Sequence, residues 1–172
     1  MTGNARLEIR LIGELAVVKD GAPVSLPGSR KTRALLAYLI LNSGPHRRTR
    51  LCDIFWQVPD NPRGALRWSL TKVRRLVDDD DIKRIVADRE TVAFEPTGVD
   101  IDLLRLREAM KEDAGKLDTE FLKEFVATAS QGLLSGLDLS GQPEFDHFLS
   151  AEREAFRILH RDQLLELLNR LE

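Results

Sequence analysis

The chain has 172 residues, 42% of them apolar and 31% charged, with a formal net charge of −2. That length can bury a real core and fits one large or two small domains, and no apolar run nears the ~18 residues needed to cross a bilayer. Residues 1–6 lack the basic-then-apolar order of a secretion signal, and Cys52 stands alone, which excludes an intramolecular disulfide and a cysteine-based zinc site and makes the cytoplasm the expected location.

Residues 7–12 alternate apolar and charged side chains before Gly13, as a half-buried strand does. Residues 15–18 are a second β-prone run, Lys19-Asp20-Gly21 a turn, and residues 23–27 a short third strand. These predict a small antiparallel sheet. Ser29 is a good N-cap for a first helix reaching about Asn42, with Leu35, Leu36, Leu39 and Ile40 as its stripe and Gly44-Pro45 beyond its end. A second, short helix covers residues 48–56, with Leu51, Ile54 and Phe55 inward, and residues 58–62 read as a turn. The third helix spans residues 62–77, with Pro62 tolerated in its first turn. Leu66, Leu70, Val73 and Val77 recur at spacings that make one core face. After Asp78-Asp79-Asp80-Asp81, residues 83–87 and 91–94 read as two strands of a hairpin around Asp88-Arg89-Glu90.

From Gly98 onward the pattern reads as helical only. Asp100 is the expected cap of a helix carrying Ile101, Leu103, Leu104, Leu106 and Met110, and residues 112–116 are a polar break. Residues 119–134 predict another helix, with Leu122, Phe125, Val126, Ala129 and Leu133 on one face. Residues 135–142 read as a loop, and Pro143 opens a long final helix. Its Leu164, Leu165, Leu168 and Leu171 are expected to be exposed and to support a homodimer.

Sheet, three helices, hairpin is the order of a winged helix-turn-helix, in which the second helix of the motif enters the major groove. Here that helix is 62–77. Its outward residues are Arg63, Arg67, Trp68, Thr71, Lys72, Arg74 and Arg75, with no acid between Arg63 and Val77. A merely solvated helix usually mixes signs. Arginine can bind guanine edges in a bidentate manner, and lysine or arginine neutralises phosphates. Arg89 at the hairpin tip is a candidate minor-groove or phosphate contact. Arg30, Lys31 and Arg33 on the first helix and Arg47, Arg48 and Arg50 around the start of the second add positive charge. The candidate DNA-binding set is therefore Arg63, Arg67, Trp68, Thr71, Lys72, Arg74, Arg75, Arg89, Arg30, Lys31 and Arg50. For Trp68, packing against the wing is favoured over stacking on the sugar-phosphate backbone. The charge is divided: residues 1–95 carry 17 basic and 12 acidic side chains, residues 96–172 carry 9 and 16. A basic half meeting a polyanion and an acidic half meeting protein fits that division.

Several motifs in order resemble those of the SARP family, the antibiotic-regulatory activators of bacteria. Leu26-Pro27-Gly28-Ser29-Arg30-Lys31-Thr32-Arg33-Ala34-Leu35-Leu36 is similar to the family's first helix, Phe55-Trp56 to the end of its second, and Ala65-Leu66-Arg67-Trp68-Ser69-Leu70-Thr71-Lys72 to its recognition helix. Gly132-Leu133-Leu134-Ser135-Gly136-Leu137, then Pro143-Glu144-Phe145-Asp146 and Ala151-Glu152-Arg153-Glu154, resemble its bacterial transcriptional activation domain. The resemblance implies an α+β winged helix of the response-regulator (OmpR) type over 5–95. It implies an all-α, tetratricopeptide-like activation domain over 98–172, which contacts RNA polymerase. The family's activation domain is longer, so the chain reads as a piece of a larger protein.

Other features have plainer readings. Arg30 stands where a Walker loop needs glycine, so Gly28-Ser29-Arg30-Lys31-Thr32 is not a phosphate loop. The four aspartates at 78–81 lack the alternation of a calcium loop and read as a solvated helix end. Asp100 and Asp102 suit a helix N-terminus. Cys52 reads as inert, His46, His147 and His160 lack ligand spacing, and Phe145, Phe148, Leu149 and Phe156 read as core. No nucleophile and base stand together, so no enzymatic activity, cofactor or metal is expected. The alternatives to a DNA-binding activator are a protein-interaction or effector-sensing module, and the regulatory front end of a larger signalling protein.

Overall fold

The computed structural model describes residues 6–57, 61–113 and 117–172. The readings made on residues 1–5, on most of the 58–62 turn and on most of the 112–116 break lie outside the described residues.

The chain opens with β1 (Leu7–Arg10), β2 (Ala16–Lys19) and β3 (Ala22–Val24), paired antiparallel with Ile9 opposite Val17 and Val17 opposite Val24. The alternation buries Leu7, Ile9 and Val17 on one face. Asp20 and Gly21 both take positive φ, 50° and 80°, between β2 and β3. That is the backbone a two-residue hairpin turn needs, and glycine supplies it without steric cost. Helix α1 (Arg30–Leu41) begins at Ser29, whose hydroxyl accepts from the Thr32 N–H at 3.3 Å. The short strand β4 (His46–Arg47) leads into α2 (Arg48–Phe55), then α3 (Pro62–Val77). The hairpin β5 (Ile85–Ala87) and β6 (Thr91–Phe94) closes the unit, and β4 lies on the far side of β6 in a three-stranded sheet. Leu35, Leu39, Leu66, Leu70, Val73 and Phe94 are all buried between these elements.

The structure departs from the sequence reading at four places. First, β7 (Val99–Ile101) is a strand, where a helix was expected from Gly98 on. It pairs parallel with β1, Leu7 opposite Val99 and Ile9 opposite Ile101, making the first sheet four-stranded. Asp100 is thus in a strand, bridged to Arg105 at 2.7 Å. The residue that opens α4 (Asp102–Asp113) is Asp102. Second, β4 was not foreseen, since two residues carry no periodicity. Third, α5 (Thr119–Ala129) ends short of Leu134. The chain after it instead bonds to the end of β1: Leu134 N–H donates to Leu11 O at 2.8 Å and Gly13 N–H to Gly132 O at 2.6 Å. Fourth, the aspartate run is not merely a solvated helix end. Asp78 accepts from the backbone N–H groups of Arg84 and Ile85, at 2.8 and 3.0 Å, and Asp79 pairs with Arg84 at 2.8 Å.

Arg84 is fully buried and ties three elements together. Its guanidinium donates to the carbonyls of Val77 at the end of α3, of Thr97 at 2.7 Å and of Gly98 at 3.1 Å. Asp102 does a similar job at the other side. Its carboxylate accepts from Leu11 N–H at 2.9 Å, Ile12 N–H at 3.1 Å and Leu103 N–H at 2.7 Å, so it caps α4 and holds the end of β1. Burial pushes this carboxyl above its ordinary pKa, while the three N–H groups oppose that shift.

The long helix α6 (Pro143–Leu171) lies against α2 and α5. Phe145 meets Phe55 with ring centroids 5.4 Å apart, and Phe148 meets Tyr38 at 4.7 Å. One apolar core therefore runs from the sheet through the three helices to α6. Leu164, Leu165, Leu168 and Leu171 at the far end of α6 are exposed.

Candidate nucleic-acid interface

Helix α3 is set by local chemistry at both ends. The Asn61 side chain accepts from Gly64 N–H at 2.9 Å, and Pro62 sits where a missing N–H costs nothing. A Cβ at position 64 would lie 2.4 Å from Asn61 Nδ2, so glycine is what lets this cap fold over. Arg74 and Arg75 occupy the last turn, where the helix dipole favours cations. Leu66, Ser69, Leu70, Val73, Leu76 and Val77 are buried. Ser69 was not foreseen as core; its hydroxyl bonds Thr32 Oγ1 at 2.9 Å, which satisfies both groups beneath α1.

With that face inward, roughly 100° of rotation per residue puts Gly64, Trp68, Thr71 and Arg75 along the middle of the outward face. Arg63, Arg67 and Arg74 fall on one flank and Lys72 on the other. Arg63, Arg67, Trp68, Thr71 and Arg75 are exposed, Lys72 and Arg74 half-buried. Thr71 Oγ1 donates to Arg67 O at 3.1 Å, and Lys19 Nζ reaches Arg75 O at 3.4 Å. Trp68 does not pack on the wing as expected. It is 58% exposed, and Lys72 Nζ sits 4.7 Å from its ring centroid. A cation over an indole face gains quadrupole attraction, and it gives the long lysine side chain one preferred direction.

The β5–β6 hairpin, the wing of the sequence reading, faces the Arg63 and Arg67 flank. Asp88 Oδ1 accepts from the N–H groups of Glu90 and Thr91, both at 2.7 Å, which shapes the turn. The bond from Thr91, then that from Glu90, holds the Asp88 carboxyl below its ordinary pKa. Arg48 straps the turn to α2, donating from its backbone N–H to Glu90 O and from Nε to Asp88 O, each at 2.8 Å. Between wing, α2 and α3 lies an open cleft of about 720 Å³. Among the described residues its walls carry Arg47, Arg48, Arg63, Arg67 and Arg89 against Asp88 and Glu90. Arg47 and Arg48 had been noted only as added charge. Their place here follows from β4, the strand the sequence did not disclose.

Three of the expected contacts lie elsewhere. Arg50 pairs with Glu144 of α6 at 2.6 Å, and that bond raises its pKa further. Arg30 donates to Asp138 O at 3.4 Å. Lys31 Nζ lies 3.3 Å from the Gln142 side-chain oxygen, in the amide orientation that also donates to Ile54 O at 2.9 Å. Arg50 is two residues from Arg48, about 200° around α2, so the two cannot share a face. These three side chains join α1 and α2 to the start of α6 and the segment leading into it.

Among the described residues no three His, Cys, Asp or Glu side chains stand close enough to hold a metal ion, and no helix is long and apolar enough to cross a membrane. Cys52 is buried, and burial pushes its thiol pKa up. No family model matches the chain, and no curated protein matches it significantly. Among solved structures, Mycobacterium tuberculosis EmbR, determined in complex with a low-affinity phosphopeptide, is similar with a TM-score of 0.64 and 23% identity. The match covers 91% of this chain and spans 44% of the EmbR chain. The likeness is one of fold: the chain has an EmbR-like arrangement of strands and helices over nearly all its length.

Proposed function

We propose that this chain is a sequence-specific regulator of transcription that binds double-stranded DNA, with α3 in the major groove and the wing on the adjoining backbone. The observation that carries this reading is the outward face of α3, free of acids from Arg63 to Val77 and continuous with the arginine cleft beneath Arg89. Arg67, Thr71 and Arg75 are the base-facing candidates. Arg47, Arg48, Arg63, Lys72, Arg74 and Arg89 are the phosphate-facing ones. The EmbR-like fold supports the resemblance to the SARP activators. In this reading 5–95 is the DNA-binding domain, extended by β7. The acidic helices that follow β7, from Asp102 onward, form the activation domain, which contacts RNA polymerase in the cytoplasm. The exposed leucines at 164, 165, 168 and 171 support a homodimer.

The test is selection from random duplexes, followed by affinity measurements on the winner across a salt series. The expected result is an enriched sequence and a log affinity falling linearly with log salt, by about 0.9 for each phosphate neutralised. No enrichment and no salt dependence would move α3 to the protein-interaction reading.

A further inference from the structure

Trp68 is the one large apolar side chain that α3 leaves in solvent, at 58% exposure, while its five leucine and valine side chains are buried. A single exposed apolar residue is ordinary on a protein surface. Its position is what matters here. It sits in the middle of the outward face, one turn before Lys72 and one turn after Gly64, which has no side chain to shield it. Arg67, Thr71 and Arg75 surround it with polar groups. Lys72 Nζ, 4.7 Å from the ring centroid, covers one side and leaves an apolar plate facing outward.

A major groove offers such a plate one apolar partner. Base edges there present donors and acceptors, except for the thymine 5-methyl group. We infer that Trp68 is a specificity-determining residue that reads thymine by packing its indole on that methyl. Lys72, steered by the ring, neutralises the neighbouring phosphate. The inference rests on the proposed placement of α3 in the major groove.

The experiment uses the full chain and the highest-affinity duplex from selection. Each thymine is replaced singly by deoxyuridine, which removes the 5-methyl and nothing else. Wild type is expected to lose about fourfold at one thymine, the worth of one buried methyl-sized group. Trp68→Ala is expected to bind the thymine and uracil forms of that position equally, with Trp68→Phe retaining part of the difference. Because the indole is exposed, the melting temperature of either variant should match wild type. Indifference of wild type to every replacement would overturn the inference, as would an undiminished uracil penalty in Trp68→Ala. So would a uniform loss on all sequences in that variant, the mark of stacking on the backbone. Failure of wild type to select any sequence is a different result, since it removes the placement of α3 itself.

Discussion

Replacing Arg84 with methionine keeps the aliphatic stem and deletes the guanidinium. Four partners lose their donor: the carbonyls of Val77, Thr97 and Gly98, and the Asp79 carboxylate. They do not count equally. The bonds to Thr97 and Gly98 are part-buried but the two residues themselves are exposed, so water offsets much of that loss. The bond to Val77 is buried, and an orphaned buried carbonyl costs about 1–3 kcal/mol. The Asp79 side chain is 17% exposed against 1% for Arg84, so its stranded charge is partly hydrated. The result falls below the roughly 3–5 kcal/mol seen when one partner of a fully buried pair is removed. Together these give about 3 kcal/mol, or a melting temperature lower by roughly 6–12 °C in a chain of this size. Urea unfolding followed by circular dichroism measures it. Asp79→Asn, which keeps an acceptor, should cost only about 1 kcal/mol. Arg84 also fixes β5 relative to α3, so Arg84→Met should weaken that part of DNA affinity that depends on Arg89. An unfolding free energy within 1 kcal/mol of wild type would refute this account of the buried arginine.

Asp138 pairs with Arg153 at 2.7 Å, and that bond holds its carboxyl below the ordinary value. A depressed folded pKa gives stability that is present above the unfolded value of about 3.9 and lost as pH falls through the folded one. Asp138→Asn should therefore be less stable than wild type at neutral pH, by well under 1 kcal/mol since the pair is exposed. The gap should narrow as pH falls from about 3.9 through the depressed folded value in acid unfolding curves, and a constant gap would contradict the assignment. Asp102→Ala strips three backbone N–H groups of their acceptor and should cost about 2 kcal/mol in urea titration, less than three separate bonds because a penalised buried charge is removed too. Arg50→Ala should change stability by less than about 1 kcal/mol, its bridge to Glu144 being half exposed. It should also leave the salt dependence of DNA binding unchanged, and a slope reduced by one would return Arg50 to the DNA interface.

The sheet, three helices and hairpin of the N-terminal unit were legible because the helices carry long, clean periodicity and their ends carry their own signals. Ser29, Asn61 with Pro62, and the spacing of Leu66, Leu70 and Val73 fix α1 and α3 almost to the residue. What escaped was short or relational. Neither β4 nor β7 exceeds three residues, and Val99-Asp100-Ile101 fits a helix start as well as a strand until its pairing with β1 is seen. Arg84 was read only as part of the strand over 83–87, because its burial depends on carbonyls from residues 77, 97 and 98. The candidate site divides in the same way. The face of α3 followed from its own periodicity. Which of the other arginines join it depended on α6 and β4: Arg50 turns to Glu144 of α6, while β4 brings Arg47 and Arg48 to the wing. Trp68 was misplaced because nothing in sequence places the wing out of its reach.

A helix α3 that reads bases and a wing that holds phosphate leave different signatures in one measurement. Affinities of wild type, Arg67→Ala, Arg75→Ala and Arg89→Ala are measured on the selected duplex and on random duplex at several salt concentrations. If Arg67 or Arg75 reads a base, its loss should cost roughly 1–3 kcal/mol on the selected duplex, relax preference at one position and leave random binding little changed. Arg89→Ala should weaken both duplexes alike and reduce the salt slope by about one. Wild-type binding by both Arg67→Ala and Arg75→Ala would contradict the account and take α3 out of the groove.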